Sequence, residues 1–430
     1  MSLEFEISES FAKELDGSDT LARFRQRFYI PAGKIYMDGN SLGLLSKDAE
    51  ASLLRVLDEF KQLGIDGWME GSPPWYTLAE ELGRKQASLV GARPDEVVVH
   101  SSNTVNLHNL VSTFFEPGSG RNKILIDELN FPSDKYAVDS QLSLHGLDPE
   151  RHRVMVKSRD GMTLQEEDIV DAMDDDVALA LLPSVLYRSG QLLDIEYLTG
   201  EAHKRGIIIG FDCCHSVGAV PHSFADWDVD FAFWCNYKYM NSGPGGTASL
   251  YVNRKHFGRV PGLCGWWGYN KDKQFNMDLD FEPAGTAGAW QIGTVHLFST
   301  APLEGSLDIF LEAGIQNIRE KSLKQTEYLM YLIDGLLSGE PYNYSIGTPR
   351  EQKRRGGHVA LQHDTEAIRI NAALKKRGVI PDFRFPNVIR LAPIALYTSY
   401  HEIWQVVMHL REIIELKEYE RFPKTRGTVA

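Results

Sequence analysis

Cysteine is scarce in this sequence. There are four in 430 residues, Cys213, Cys214, Cys235 and Cys264. Their spacing offers neither a disulfide framework nor a C-x-x-C pair, which points to a reduced, cytoplasmic setting. Adjacent Cys213 and Cys214 are expected to serve packing. A basic excess is also missing. Lys and Arg number 45 against 59 Asp and Glu, for a formal charge of −14, which argues against nucleic acid or an anionic membrane as a main partner. No apolar run reaches membrane-spanning length. The opening MSLEFEISES is acidic where a secretory signal would be basic, so no leader is expected. Internal repeats and low-complexity segments are absent. His203 and His222 lack a set of partners that would make a metal site, so no metal is expected. What remains is a chain 43% hydrophobic and 24% charged, enough for one large core and a second, smaller domain.

The stretch from Gly206 to Tyr251 is the most informative. A short apolar run, Ile207 to Ile209, ends in Gly210-Phe211-Asp212. A second, Phe231 to Cys235, ends in Asn236-Tyr237-Lys238. Both read as buried strands of an α/β sheet. Ligands of open α/β sheets sit at the carboxyl ends of the strands, so Asp212 and Lys238 are expected in one pocket. An amine there, with its pKa lowered by burial, can attack an aldehyde. A carboxylate can hold the proton on a pyridine nitrogen, which is what pyridoxal phosphate requires. Alone, such an Asp also reads as a helix N-cap and such a Lys as a solvated strand end. Asp-x-x-His, a Ser-Val-Gly turn, an aromatic-Lys step and the Gly243-Pro244-Gly245-Gly246 turn are more specific together.

That arrangement resembles kynureninase, a fold-type I pyridoxal-phosphate family related to the class V aminotransferases. The residues that carry the resemblance are Phe211, Asp212, His215, Ser216, Asp228 through Phe231, Trp234 and Tyr237-Lys238-Tyr239. It extends from Met37-Asp38-Gly39-Asn40-Ser41-Leu42-Gly43 to Ile389-Arg390-Leu391-Ala392-Pro393. The resemblance implies that Lys238 holds the cofactor, Asp212 holds its ring nitrogen, and Tyr237 relays protons. It places His215 beside the ring.

Other segments take roles from the same resemblance. Asn40 and Ser41 would line the substrate end. Trp68, in an aromatic loop with Pro73 and Pro74, would approach the substrate ring. It falls where bacterial members carry tryptophan, which favours kynurenine over its 3-hydroxy form. Ser101 to Asn106, at a strand-to-helix junction, offers free backbone donors for a phosphate, though Ser and Thr cap many helices. The family puts the cofactor phosphate against Asn103 and Thr104. Phe131 would stack on the cofactor, with Asp134 near it; a phenylalanine there can equally plug the core. Pro183 and Leu186 stand where many members have a hydroxyl residue and His or Asn, and Ser184 is the expected substitute. Trp266 and Thr294 would reach the cofactor phosphate of a neighbouring subunit, making the site composite and the homodimer obligatory. Arg390, one arginine in an apolar strand, needs an anion, and its fork matches a carboxylate. It is expected to clamp the substrate's α-carboxylate.

The helical pattern over 47–63 places Leu53, Leu54, Val56, Leu57 and Phe60 on one broad face. A long helical periodicity runs from Leu303 to Leu337. The expected fold is α/β, with a mostly parallel seven-stranded sheet flanked by helices and a small α+β C-terminal domain. The expected divisions are an N-terminal segment 1–45, a large cofactor-binding domain 46–305 and a small domain 306–430. The resemblance implies a homodimeric hydrolase that splits the Cβ–Cγ bond of L-kynurenine. Two other readings stand beside it: another class V-type enzyme such as an aminotransferase or cysteine desulfurase, and a non-catalytic protein of the same fold. The absence of cysteine after Cys264 counts against the desulfurase.

Overall fold

The computed structural model of the chain describes residues 5–425. In chain order the strands are β1 (Ile35–Tyr36), β2 (Val97–Val99), β3 (Lys123–Asp127), β4 (Arg153–Val156), β5 (Val177–Pro183), β6 (Ile208–Asp212), β7 (Phe231–Trp234), β8 (Ser249–Val252), β9 (Ser345–Ile346), β10 (Val359–Gln362), β11 (Val379–Ile380), β12 (Asp382–Arg384) and β13 (Val388–Leu391). Among the described residues they form three sheets.

The largest sheet has seven strands in the order β2-β8-β7-β6-β5-β3-β4. From β7 to β4 every neighbour is parallel, and β8 is antiparallel to both β7 and β2. Ile124, Ile126, Leu179, Leu181, Phe231 and Phe233 pack into one core, and Leu125, Ala180, Leu182, Ile209, Phe211 and Trp234 into another. Successive side chains point to opposite faces. Both faces are covered, so the strands read as unbroken apolar runs. Each fully buried Ile, Leu or Phe on them contributes about 2 kcal/mol. Because β3, β5, β6 and β7 run the same way, Asp127, Pro183, Asp212 and the turn after Trp234 meet on one edge.

A second sheet, β12-β13-β10-β9, is antiparallel throughout. Val359, Leu361, Ile389 and Leu391 from it pack with Leu329, Ile333, Ile370, Leu374, Ile403 and Val407 from three helices, Ile315–Leu337, Ala367–Lys376 and Tyr400–Glu415. The last of these starts at a capping box made by Ser399 and Glu402. The N-terminal strand β1 reaches across the sequence to pair with β11.

Two sequence-based expectations change. The periodicity over 303–337 is divided between helices Leu297–Ala313 and Ile315–Leu337. Gly314 separates them with φ +78°, a conformation that glycine adopts without steric cost. The helix Lys47–Leu63 has its predicted bounds, but its apolar residues do not share one buried face. Ala49 and Val56 are buried, whereas Leu54, Leu57 and Phe60 are exposed. The inward side lies against Leu297–Ala313, where a Cβ on Gly305 would sit 2.2 Å from the Asp48 carbonyl oxygen. No helix among the described residues is long and apolar enough to cross a membrane.

Candidate active site

Lys238 follows β7 in a turn held from two sides. Asn241 N–H donates to the Lys238 carbonyl at 3.0 Å, and Gly43 N–H donates to the Tyr237 carbonyl at 2.8 Å. Gly43 comes so close that a Cβ on it would be 2.3 Å from the Lys238 carbonyl oxygen, so this end of the Gly39–Gly43 turn has no room for a side chain. The Lys238 Nζ lies 3.0 Å from His215 Nε2 and 6.0 Å from the ring centres of both Phe131 and Tyr237.

Burial pulls the Lys238 pKa down, as expected, but Cys235, Cys214 and Asp212 outweigh it and hold the amine above the ordinary lysine value. In the chain by itself, therefore, the expected net lowering does not occur. His215 moves the other way: burial, then the charges of Lys238 and Arg390, hold its imidazole well below the usual range. A neutral His215 thus accepts a hydrogen bond from a charged Lys238. Tyr237 is pushed up, first by Cys235 and then by burial.

Three carboxyl groups lie at the same sheet edge. Asp212 Oδ1 accepts from Cys214 N–H at 2.8 Å, closing the turn after β6. Burial, then the neighbouring Asp212, raises the Asp134 carboxyl well above its ordinary value. Burial pushes Asp127 up to about 7.

The helix Asn103–Phe114 begins at Ser102 with no side-chain cap on its first N–H groups. An uncapped N-terminus of this kind favours an anion. Thr104 Oγ1 lies 3.0 Å from Ser133 Oγ. At the opposite end, Arg390 Nε donates to Asp382 Oδ2 at 2.5 Å, its Nη1 to the Tyr187 carbonyl at 2.7 Å and its Nη2 to Ser41 Oγ at 2.9 Å. Arg384 Nε donates to the same Asp382 oxygen at 2.8 Å. The anion that a buried arginine needs is thus Asp382, supplied by the adjacent strand β12. Two guanidiniums share it, so the trio carries one net positive charge.

Apart from Asp127 and Asp382, these groups line one cavity of about 220 Å³. Of the residues singled out from the sequence, it brings together Asn40, Ser41, Asn103, Thr104, Phe131, Asp134, Asp212, His215, Tyr237, Lys238 and Arg390. Asn40, Asn103, Asp134 and His215 each hold at least one buried side-chain atom with no partner. Such groups cost about 1–3 kcal/mol each, and a polar ligand in the cavity would offset that.

Ser184 is not in this wall. It is fully buried behind it, its hydroxyl donating to the Asp212 carbonyl and touching Ser216. Trp68, Trp266 and Thr294 line a different, largely aromatic cavity of about 660 Å³ with Tyr76, Trp267 and Phe275. Within one chain they do not meet Lys238. Ser133, Tyr187 and Arg384 line the Lys238 cavity without having been singled out, and Cys214, expected only to serve packing, lines it too. For Arg384, the available signal was the alternation Asp382-Phe383-Arg384, which puts an acid and a base on one strand face opposite Arg390.

Comparison with known proteins decides the family. A curated kynureninase of Geobacillus thermodenitrificans is 60% identical over 429 residues, covering 100% of both chains. One from Bacillus anthracis is 58% identical over 426 residues, 99% of each. A third, from Shouchella clausii, is 58% identical over 423 residues, 98% of each. The chain belongs to the kynureninase family. The kynureninase C-terminal domain family matches residues 318–410, which include Arg384 and Arg390 as well as Asp382. The wider fold is that of the class V enzymes. A cystine C–S lyase solved with its product cysteine persulfide superposes with a TM-score of 0.76 at 16% identity, covering 89% of this chain and 98% of that one. A cysteine desulfurase from Thermococcus onnurineus gives 0.73 at 18%, covering 94% and 98%. At such identities these two show the fold alone. The kynureninase relatives, by contrast, match 98–100% of the chain.

Proposed function

We propose that the chain is a pyridoxal-phosphate-dependent kynureninase, hydrolysing L-kynurenine to anthranilate and L-alanine. The observation that carries this is the single cavity in which a lysine amine, a carboxylate pair and an uncapped helix end lie together. When bound, pyridoxal phosphate supplies an electron sink for negative charge at the substrate's α-carbon.

The residues present fit that group. Lys238 would hold its aldehyde carbon and, once displaced by the substrate amine, take the α-proton. Asp212, with Asp134 beside it, would keep the ring nitrogen protonated. Asn103 and Thr104 at the helix end, with Ser133 beside them, would receive the phosphate. Phe131 and His215 would flank the ring. Tyr237 would move a proton between Lys238 and the substrate. Arg390, oriented by Asp382 and Ser41, would grip the α-carboxylate, with Arg384 adding charge and Asn40 adding hydrogen-bonding capacity.

A homodimer is part of this reading. The cavity of Trp68, Trp266 and Thr294 is apolar and open. Leu54, Leu57, Phe60, Met69, Trp266 and Phe275 are exposed apolar residues. A second copy would cover them and bring Trp266 and Thr294 to the phosphate end of the first copy's site, with Trp68 near the substrate ring. Kynurenine is the expected substrate over its 3-hydroxy form because Trp68 offers no titratable partner for a ring hydroxyl. A cytoplasmic setting fits the four free cysteines.

The test is direct. Purified protein incubated with pyridoxal phosphate should turn yellow and release fluorescent anthranilate from L-kynurenine, and Lys238→Ala should do neither. A wild-type protein that stays colourless overturns the reading.

A further inference from the structure

Behind the cavity wall, on the side away from Lys238, a line of polar side chains crosses a buried apolar region. Ser184 Oγ is 3.1 Å from the Asp212 carbonyl. Ser184 Oγ and Ser216 Oγ are 2.7 Å apart. Ser216 Oγ is 2.9 Å from His222 Nε2 and 3.2 Å from the Cys213 carbonyl. Ser184, Ser216 and His222 are all buried. The histidine ring stacks on Phe224, with centroids 4.8 Å apart, and meets the edge of Trp227.

Counting protons gives the histidine end of this line a direction. Each hydroxyl has one proton to give. With that of Ser184 on the Asp212 carbonyl, the 2.7 Å contact is donated by Ser216; with that of Ser216 on the Cys213 carbonyl, it is donated by Ser184. In both arrangements Ser216 has none left for the ring, and the 2.9 Å contact comes from a proton on His222 Nε2. Burial keeps this imidazole neutral, holding its pKa down at about 3, and a neutral ring has one N–H to place. Hydrogen bonds aligned head to tail in this way strengthen one another in a low-dielectric interior.

The line ends on a short turn. Asp212 Oδ1 takes the Cys214 N–H, while Ser216 N–H and Val217 N–H both close on the Cys213 carbonyl. On its other side that turn presents Asp212, Cys214 and His215 to the cavity. We propose that His222, acting as a hydrogen-bond donor through Ser216 and Ser184, is a positioning residue that holds the Asp212–His215 turn in its cofactor-binding shape. This rests on the function proposed above as far as the cofactor is concerned. The effect on the turn itself does not depend on it.

Two measurements separate the possibilities. The first is amide hydrogen exchange over Cys213–Val217 in protein without added cofactor. The second is the dissociation constant for pyridoxal phosphate by absorbance titration. Ser184→Ala, Ser216→Ala and His222→Leu should each speed exchange in the turn and weaken cofactor binding about five- to tenfold, the usual effect of losing one buried hydrogen bond. His222→Gln, whose side-chain amide still donates, should restore both to near wild type. Ser184→Ala removes only one oxygen, so it reads out the link even if His222→Leu does not fold. Unchanged exchange in Ser184→Ala and Ser216→Ala overturns the proposal. So does a His222→Gln protein that behaves like His222→Leu, because ring packing would then be the only role. If wild type itself binds no pyridoxal phosphate, the functional reading fails and the exchange data alone decide the role of the line.

Discussion

The Lys238 Nζ lies 3.0 Å from His215 Nε2, and burial with the nearby cations favours the proton on the lysine. Burial and the surrounding cations keep the imidazole neutral, so Nε2 is the acceptor. The remaining ring proton sits on Nδ1, which is buried with no partner. The amine is held charged, and must give up a proton before it can act as a nucleophile or base.

Histidine-selective nitrogen NMR checks this. At pH 6 the His215 ring should show the neutral pattern with the proton on Nδ1, although an unperturbed imidazole of pKa about 6.5 would already be mostly charged there. An imidazolium signal at pH 6 would contradict the assignment.

Arg390 and Arg384 should separate in kinetics. Arg390→Gln removes a charge-assisted fork and should raise KM for kynurenine about ten- to hundredfold while changing kcat much less. Arg384→Gln should raise it by a smaller factor. A larger loss of kcat than of affinity in Arg390→Gln would place this arginine elsewhere in the reaction.

Asp382 supports both of them. Asp382→Ala leaves the buried Arg390 guanidinium without its partner and should destabilise the fold by about 3–5 kcal/mol. Urea unfolding measures this directly. A loss below about 1 kcal/mol, the range of exposed pairs, would show that the pair behaves like a surface contact.

Asp230 sets an acid limit on stability. It is buried, which opposes ionisation, but His203 and His256 bond to it and Lys255 lies beside it, holding the carboxyl well below the usual range. A depressed carboxyl pKa stabilises the fold above the unfolded-state value of about 3.9 and loses that contribution as pH falls toward the folded value. Asp230→Asn should therefore lower Tm strongly at pH 7, and the gap to wild type should close below about pH 3.9. A gap that stays constant through that window would refute the linkage.

The exposed apolar stripe gives a test of assembly. Phe60 is 53% exposed and its ring lies 6.1 Å from that of Phe298, which is also exposed. Phe60→Asp should shift the protein from dimer to monomer in light scattering and weaken pyridoxal phosphate binding at the same time. A monomeric wild type would remove the basis for a shared site.

Much of the site is legible in sequence because its residues end strands. Asp212 and Lys238 follow short apolar runs, and a parallel sheet sends such ends to one edge. Asn103 and Thr104 open a helix after a strand, and the structure leaves that helix uncapped. For Arg384 the alternation Asp382-Phe383-Arg384 was a local signal, but the pairing of Asp382 with Arg390 across two strands, which gives it meaning, is not reported by any local pattern. Ser184 was expected to face the cofactor side. Its hydroxyl instead turns inward, where the Asp212 carbonyl and Ser216 provide hydrogen-bond partners. The stripe of Leu54, Leu57 and Phe60 was visible as a face, but periodicity says only that a face is apolar, not what covers it.

Strand β1 pairs with β11, Asp38 bridges to Ala392, and Gly43 is bonded to the Tyr237 carbonyl. Residues 35–43 are thus stitched to residues 379–392, with the lysine turn bonded to the first of these segments. During synthesis the cavity stays unfinished until the final strands have emerged. A chain cut short before Asp382 would have the amine but neither of the guanidiniums, Arg384 and Arg390, that line the other end of the cavity.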